Sequence, residues 1–281
     1  MKREGFAEAT LRSVGERLRL LCKYIDLDDP ESVKSFIACR SCWSNSFKNG
    51  VAQAYDHYVK VNGLSWSKPR FKVSVRLPYI ASREQINRLI AHCKRKYALI
   101  LSVLRDTGMR PIELHRLTLR SVDLEKGVIR IGSSKGGLPR TARIKNSTLA
   151  MLIEYVRKHG FGLDERMFPT SKSMCKSYCR ARKNLSKKLQ DLSLMKIRLY
   201  DFRHYFATML YHKTKDILYV KQQLGHRRIE NTLIYTHLVN FSEEEFTIRT
   251  ARDVETASKL LEAGFQYVTE MDGARIFRKR K

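Results

Sequence analysis

The chain has 281 residues, enough for a sizeable core and more naturally two domains than one. Lys and Arg number 55 against 28 Asp and Glu, a surplus of 27 positive charges. Charges so unbalanced repel one another unless a polyanion meets them, which points to nucleic acid first and an anionic membrane surface second. No stretch approaches the ~18–20 apolar residues of a membrane span, and no apolar signal-peptide core follows Met1-Lys2-Arg3-Glu4. The expectation is a cytoplasmic protein with reduced cysteines. Cys39-x-x-Cys42 lacks the second pair that a four-ligand zinc site needs, and Cys175 and Cys179 share at most a helix face, so neither a metal nor a cofactor is expected.

In chain order, Leu11, Val14, Leu18, Leu21 and Ile25 recur at helical spacing. Asp29-Pro30-Glu31 is a helix start with Asp29 as N-cap. Phe47, Val51, Tyr55, Tyr58 and Val59 form another stripe, ended by Gly63, and residues 1–62 read as one helical domain. Residues 63–79 change character: one Gly, two Pro and four basic residues, with no acid. This run reads as an extended basic linker suited to lying along phosphates. Ser82 to Gln85 has the form of a capping box. Helical stripes cover 83–93, 96–107 and 111–119, with Gly108 breaking the chain and Pro111 restarting it. Strands are expected at 128–131 and 141–144 around a glycine-rich hairpin loop, 132–137. Further helices are expected at about 147–158, 171–190, 199–212, 216–224 and 229–237. Residues 171–203 carry ten Lys or Arg against two Asp, the densest basic stretch and the helix expected to face DNA. The tail, 241–281, reads as a helix ended by Gly264 and a small hairpin turning at Met271-Asp272-Gly273.

Opening a phosphodiester without metal takes cationic donors for the non-bridging oxygens, a nucleophile in line, and an acid for the leaving oxygen. Arg110 lies in Thr107-Gly108-Met109-Arg110-Pro111-Ile112-Glu113-Leu114, held at a helix N-terminus where an anion is favoured, with Glu113 one turn on to pin its guanidinium. Lys135 sits at the tip of the hairpin. Tyr200 and Arg203 are three residues apart and so share a helix face. Leu224-Gly225-His226 reads as a helix C-cap followed by an exposed imidazole, and Tyr235 comes nine residues after His226 in Ile234-Tyr235-Thr236-His237. Singly, each has a bland explanation: Tyr235 as a core residue, His226 as a dipole contact. His204 and His237 read as residues that support the site from behind or as structural ones.

Together and in this order, these segments resemble the catalytic domain of the tyrosine recombinase (integrase) family over residues 80–240. The resemblance implies a mainly α chain with a small β-sheet (α+β): a helical core-binding domain and a catalytic domain closing as a C-shaped clamp on duplex DNA. Carried onto this chain, the family pattern implies Arg110, Lys135, Arg203, His226 and the nucleophile Tyr235. One position departs from it. Tyr200 stands where the pattern has a histidine, and a phenol of pKa about 10 exchanges protons poorly near neutrality. It resembles the Tyr-x-x-Arg variant of some archaeal integrases and can still donate a hydrogen bond to a phosphate oxygen.

The implied reaction forms a 3′-phosphotyrosyl bond and frees a 5′-hydroxyl without ATP, with Lys135 as candidate acid. Strands are then exchanged in a homotetramer on DNA, assembled from protein that is monomeric when free. A phenol at pH 7 is only about one part in a thousand ionised, a deficit of ~4 kcal/mol that the arginines and His226 must offset. The tail is expected to pack on a neighbouring subunit. Truncation after about Asn240 should therefore leave cleavage intact and impair tetramer assembly, measurable by native gels on DNA. Two other readings stay open: a type IB topoisomerase, which reseals the same strands, and a non-catalytic DNA-binding regulator descended from a recombinase, prompted by Tyr200.

Overall fold

The computed structural model describes residues 1–74, 77–134, 136–236, 246–271 and 273–280. The chain divides into two compact units, Met1–Arg76 and Leu77–Lys281. No described helix is long and apolar enough to cross a membrane.

The first unit is three helices, α1 (Glu8–Cys22), α2 (Pro30–Cys39) and α3 (Asn45–Val61). Asp29 caps α2 by accepting from the Ser32 amide, and Ser44 caps α3 by accepting from the Phe47 amide. The helices enclose Leu21, Val33, Ile37, Val51, Tyr55 and Val59. Buried Tyr55 donates its hydroxyl to the Leu27 carbonyl at 2.7 Å, so its polar end is satisfied. The segment read as linker is extended, but its first part is docked. Asn49 bonds both the Phe71 amide and the Phe71 carbonyl, Asn45 donates to the Lys72 carbonyl, and Leu64, Trp66 and Phe71 pack on the helical core.

The second unit opens with α4 (Arg83–Ala91), whose capping box forms through both Ser82 and Gln85. Next is α5 (Arg95–Thr107), apolar on nearly every side and central to the core. Gly108 ends α5 in the left-handed conformation, φ +60°. The following helix, α6 (Pro111–His115), is shorter than the expected 111–119. Beyond Arg116 the chain turns to pair with the 163–167 segment, where Met167 donates to the Leu117 carbonyl and Arg120 to that of Leu163. A three-stranded antiparallel sheet follows: β1 (Val122–Asp123), β2 (Val128–Ile131) and β3 (Arg140–Arg143). The short β1 was not expected.

Helices α7 (Asn146–His159), α8 (Ser171–Lys188), α9 (Asp201–Thr214) and α10 (Ile217–Leu224) complete the main core. The basic α8 turns Met174, Tyr178 and Leu185 inward and leaves Lys172, Lys176, Arg180, Lys187 and Lys188 exposed. Then comes α11 (Glu230–Leu233), far shorter than the expected 229–237. The chain tightens at its end, with the Tyr235 amide bonding the Thr232 carbonyl three residues back, so Tyr235 sits in a turn rather than in a helix. The tail is a sheet rather than a bare hairpin. β4 (Phe246–Ala251) precedes α12 (Val254–Glu262), and β5 (Gln266–Met271) and β6 (Ala274–Arg280) follow in the order β4-β6-β5. Ala251, Ala257 and Phe277 form its small core.

Candidate active site

Of the residues singled out in the sequence, Arg110, Arg203 and His226 meet at the ends of α5, α9 and α10, with Tyr235 close to both arginines. Arg110 is the N-cap of α6, a helix too short to carry much dipole, so its own charge is what an anion would meet. Glu113 pins it, as the one-turn spacing suggested: the Arg110 guanidinium donates to Oε1 at 2.7 Å and the Arg110 amide to Oε2 at 2.8 Å. Two partners not foreseen complete the hub. Buried Ser134 donates to Oε1 at 2.7 Å, and buried Arg140 donates to Oε2 at 2.8 Å. Burial alone would raise the Glu113 carboxyl, but the bond and charge of Arg140, with the Arg110 amide and Ser134, bring it down to about 2.

Arg203, 1% exposed, reaches from α9 to two turns at once. Nη1 donates to the Gly108 carbonyl at 2.7 Å and Nη2 to the Leu224 carbonyl at 2.6 Å. Arg110 follows the first carbonyl by two residues and His226 follows the second by two, so one guanidinium fixes both. Burial lowers the Arg203 pKa to about 10, with Arg110 and Arg140 pushing the same way against Tyr200 and Glu113. Arg203 Nε and Arg140 Nε and Nη1 are buried donors with no partner among the described residues.

His226 is buried, 8% exposed, and not the exposed imidazole that the sequence suggested. Gly225, at φ +65°, turns the chain back under the β2–β3 hairpin, and His226 Nδ1 lies 2.9 Å from Thr232 Oγ1. Burial first, then Arg203, Arg110 and Arg140, lower its pKa to about 3, so it is neutral at physiological pH. Tyr235 is 2% exposed. Burial pushes its phenol up and Tyr200 adds to this, while Arg203 and Arg110 pull it down. Its hydroxyl lies 3.1 Å from His204 Nδ1, so His204 is more than a packing residue. Tyr200 and Arg203 lie near one another, as their spacing implied, but differ in burial. Tyr200 is 40% exposed, on a cleft of about 330 Å³ that Arg110, Arg182 and Arg198 also line. Lys135 lies outside the described residues, as does His237.

Gly225 makes a testable contact. An added Cβ would sit 2.6 Å from the Leu138 carbonyl oxygen, whereas Gly160 has a similar φ, +61°, and open space around it. Both Gly→Ala changes carry the left-handed penalty of about 1–2 kcal/mol, but only Gly225→Ala should also displace the hairpin. Urea denaturation should show Gly225→Ala to be the more destabilising, and only it should slow reaction with DNA.

Residues 81–241, more than half of the chain, match the profile of the phage integrase family. The chain belongs to that family, the tyrosine recombinases. Among its relatives, tyrosine recombinase XerA of Saccharolobus solfataricus is 32% identical over 177 residues. The match covers 59% of this chain and 58% of that protein, less than two thirds of the relative's length. XerA of Pyrococcus furiosus is 29% identical over 201 residues, covering 68% of this chain and 69% of that one. In fold, the chain resembles the Tn1549 transposon integrase solved with circular intermediate DNA (TM-score 0.68, 15% identity, covering 93% of this chain and 96% of that one). It also resembles a lambda integrase dimer solved on a COC′ core site (TM-score 0.64, 13% identity, covering 86% and 92%). The α+β architecture expected from the sequence is the one observed.

Proposed function

We propose that this chain is a site-specific DNA recombinase that cuts and rejoins strands through a 3′-phosphotyrosyl link at Tyr235, with neither metal nor ATP. One observation carries the reading. Arg110 and Arg140 stand close enough to act on both Arg203 and His226, and among the described residues Glu113 is the carboxylate hydrogen-bonded to this cluster. A cluster with that surplus and with unpartnered buried guanidinium nitrogens suits the charge that develops on a phosphate in transfer. Family membership supports it, as do relatives named recombinases and fold neighbours solved on DNA.

In this reading Arg110 and Arg203 hold the non-bridging oxygens. Neutral His226, with Nδ1 engaged by the Thr232 hydroxyl, donates from Nε2. Tyr200 offers a phenol hydrogen bond from the cleft, and Lys135 protonates the leaving 5′-oxygen. Four copies act together on DNA, with the 241–281 tail bridging subunits.

The test is covalent capture. Binding selection from a randomised duplex pool yields a bound sequence, and nicked duplexes tiling that sequence trap the enzyme when the cleaved fragment diffuses away. A denaturant-stable protein–DNA adduct is expected, and Tyr235→Phe should abolish it. Absence of the adduct with every nick position would favour a DNA-binding regulator. An adduct that relaxes plasmid DNA without exchanging strands between two sites would favour a topoisomerase.

A further inference from the structure

We infer that His204 takes the proton from Tyr235 as the tyrosine attacks DNA, an assignment that rests on reading Tyr235 as the nucleophile. The Tyr235 hydroxyl is buried, and among the described residues its one hydrogen-bond partner is His204 Nδ1, at 3.1 Å. His204 follows Arg203 directly on α9, so the helix that sets the phosphate-facing cation also sets the imidazole. Arg203 points to the two turns and His204 to Tyr235. Tyr200 fills the place where the family pattern has a histidine and packs edge-on against the His204 ring, centroids 5.2 Å apart at 71°. The proton-accepting role missing at position 200 is thus available one helical turn later, on the side facing the nucleophile.

The charges around the ring suit the task. Asp201, Arg198 and Arg203 act on it from α9 and its start, and the Tyr200 and Tyr235 rings both pack against it. Burial lowers the His204 pKa, Arg198 and Arg203 add to this, and Asp201 opposes it. The imidazole is therefore neutral at pH 7, with Nδ1 free to accept and the ring proton on Nε2. In the forward step the Oη–H proton passes to Nδ1, the oxygen forms the Oη–P bond, and the P–O5′ bond breaks. Its electron pair stays on the 5′-oxygen, which takes a proton from Lys135 or water. Asp201 steadies the transient imidazolium. In rejoining, a 5′-hydroxyl gives its proton back to Lys135 or water, forms the P–O5′ bond and displaces Oη, which recovers its proton from His204.

The experiment is single-turnover adduct formation between pH 5.5 and 9, using nicked duplexes of the selected sequence, for the full chain and its variants. Wild-type rates should rise with pH and level off as the imidazole becomes neutral. His204→Ala should be slower by about 10²–10⁴-fold, the usual range for general-base loss, should lack that inflection, and should recover in part with added imidazole. His204→Asn keeps a polar contact to Tyr235 but no comparable basicity, and should fold, bind DNA and remain slow. Either variant reacting as fast as wild type, or faster, would overturn the assignment and make the contact a parking place for Tyr235. Tyr235→Phe separates the two levels of inference. If it still forms adduct, the nucleophile itself is wrong. If it is inert while the His204 variants run at full rate, only the role of His204 falls.

Discussion

Glu113→Ala is expected to destabilise the catalytic unit by about 3–5 kcal/mol, because it breaks a buried ion pair and strands the other partner. The carboxylate is 1% exposed and binds two guanidinium groups, a hydroxyl and an amide. Without it Arg110 and Arg140 lose their ion-pair partner beside Arg203. For a unit of about 200 residues the melting temperature should fall by roughly 10 °C. Adduct formation should fail even where the variant is still folded, since Arg110 loses both of its anchors. The wild type should show the same dependence on pH. The folded-state pKa of Glu113 lies near 2, below its ordinary 4.5. Its contribution, about 3 kcal/mol, is therefore complete above about pH 4.5 and is lost as pH falls toward 2. Acid denaturation of wild type and Glu113→Gln should converge at low pH, and parallel curves would count against the hub.

Arg203→Lys should slow adduct formation by about 10²–10³-fold, the cost of removing one preorganised donor to a developing oxyanion. A lysine keeps the charge but not the fork, so it cannot serve both the Gly108 and the Leu224 carbonyl. One buried carbonyl is left unpaired, at a cost of about 1–3 kcal/mol. DNA affinity at moderate salt should barely change, because the surplus of 27 charges dominates that term. A binding isotherm and a single-turnover rate on the same preparation separate these effects. A loss of affinity matching the loss of rate would mean that Arg203 merely holds DNA.

The helices were legible where their punctuation is local: Asp29-Pro30, the Ser82 box, and glycines after α5 and α10. Arg110, Arg203, His226 and Tyr235 were singled out through their order along the chain. What escaped depends on distant packing. Arg140 had one signal: it occupies an inward position of β3, alternating with exposed Thr141 and Arg143, and a charge in that register needs a buried partner. His226 was read as exposed because nothing local reveals that Thr232 and the hairpin close over it. The end of α11 and the strand β4 were missed for a related reason. Four helical residues give too little periodicity to set a boundary, and β4 takes its register from β6, some thirty residues on.

The two carbonyls that hold Arg203 lie at the C-terminal ends of α5 and α10, where each helix carries about half a negative charge in partial dipoles. Among the described residues, buried Arg203 is thus hydrogen-bonded by two helix ends rather than by a carboxylate. A carboxylate in that place would compete with the phosphate for the guanidinium and would have to be displaced in every cycle. Helix ends cannot be displaced, and they leave Nε uncommitted. The arginine is held in position before DNA arrives while its charge remains largely unspent, so docking the scissile phosphate requires no internal ion pair to be broken there.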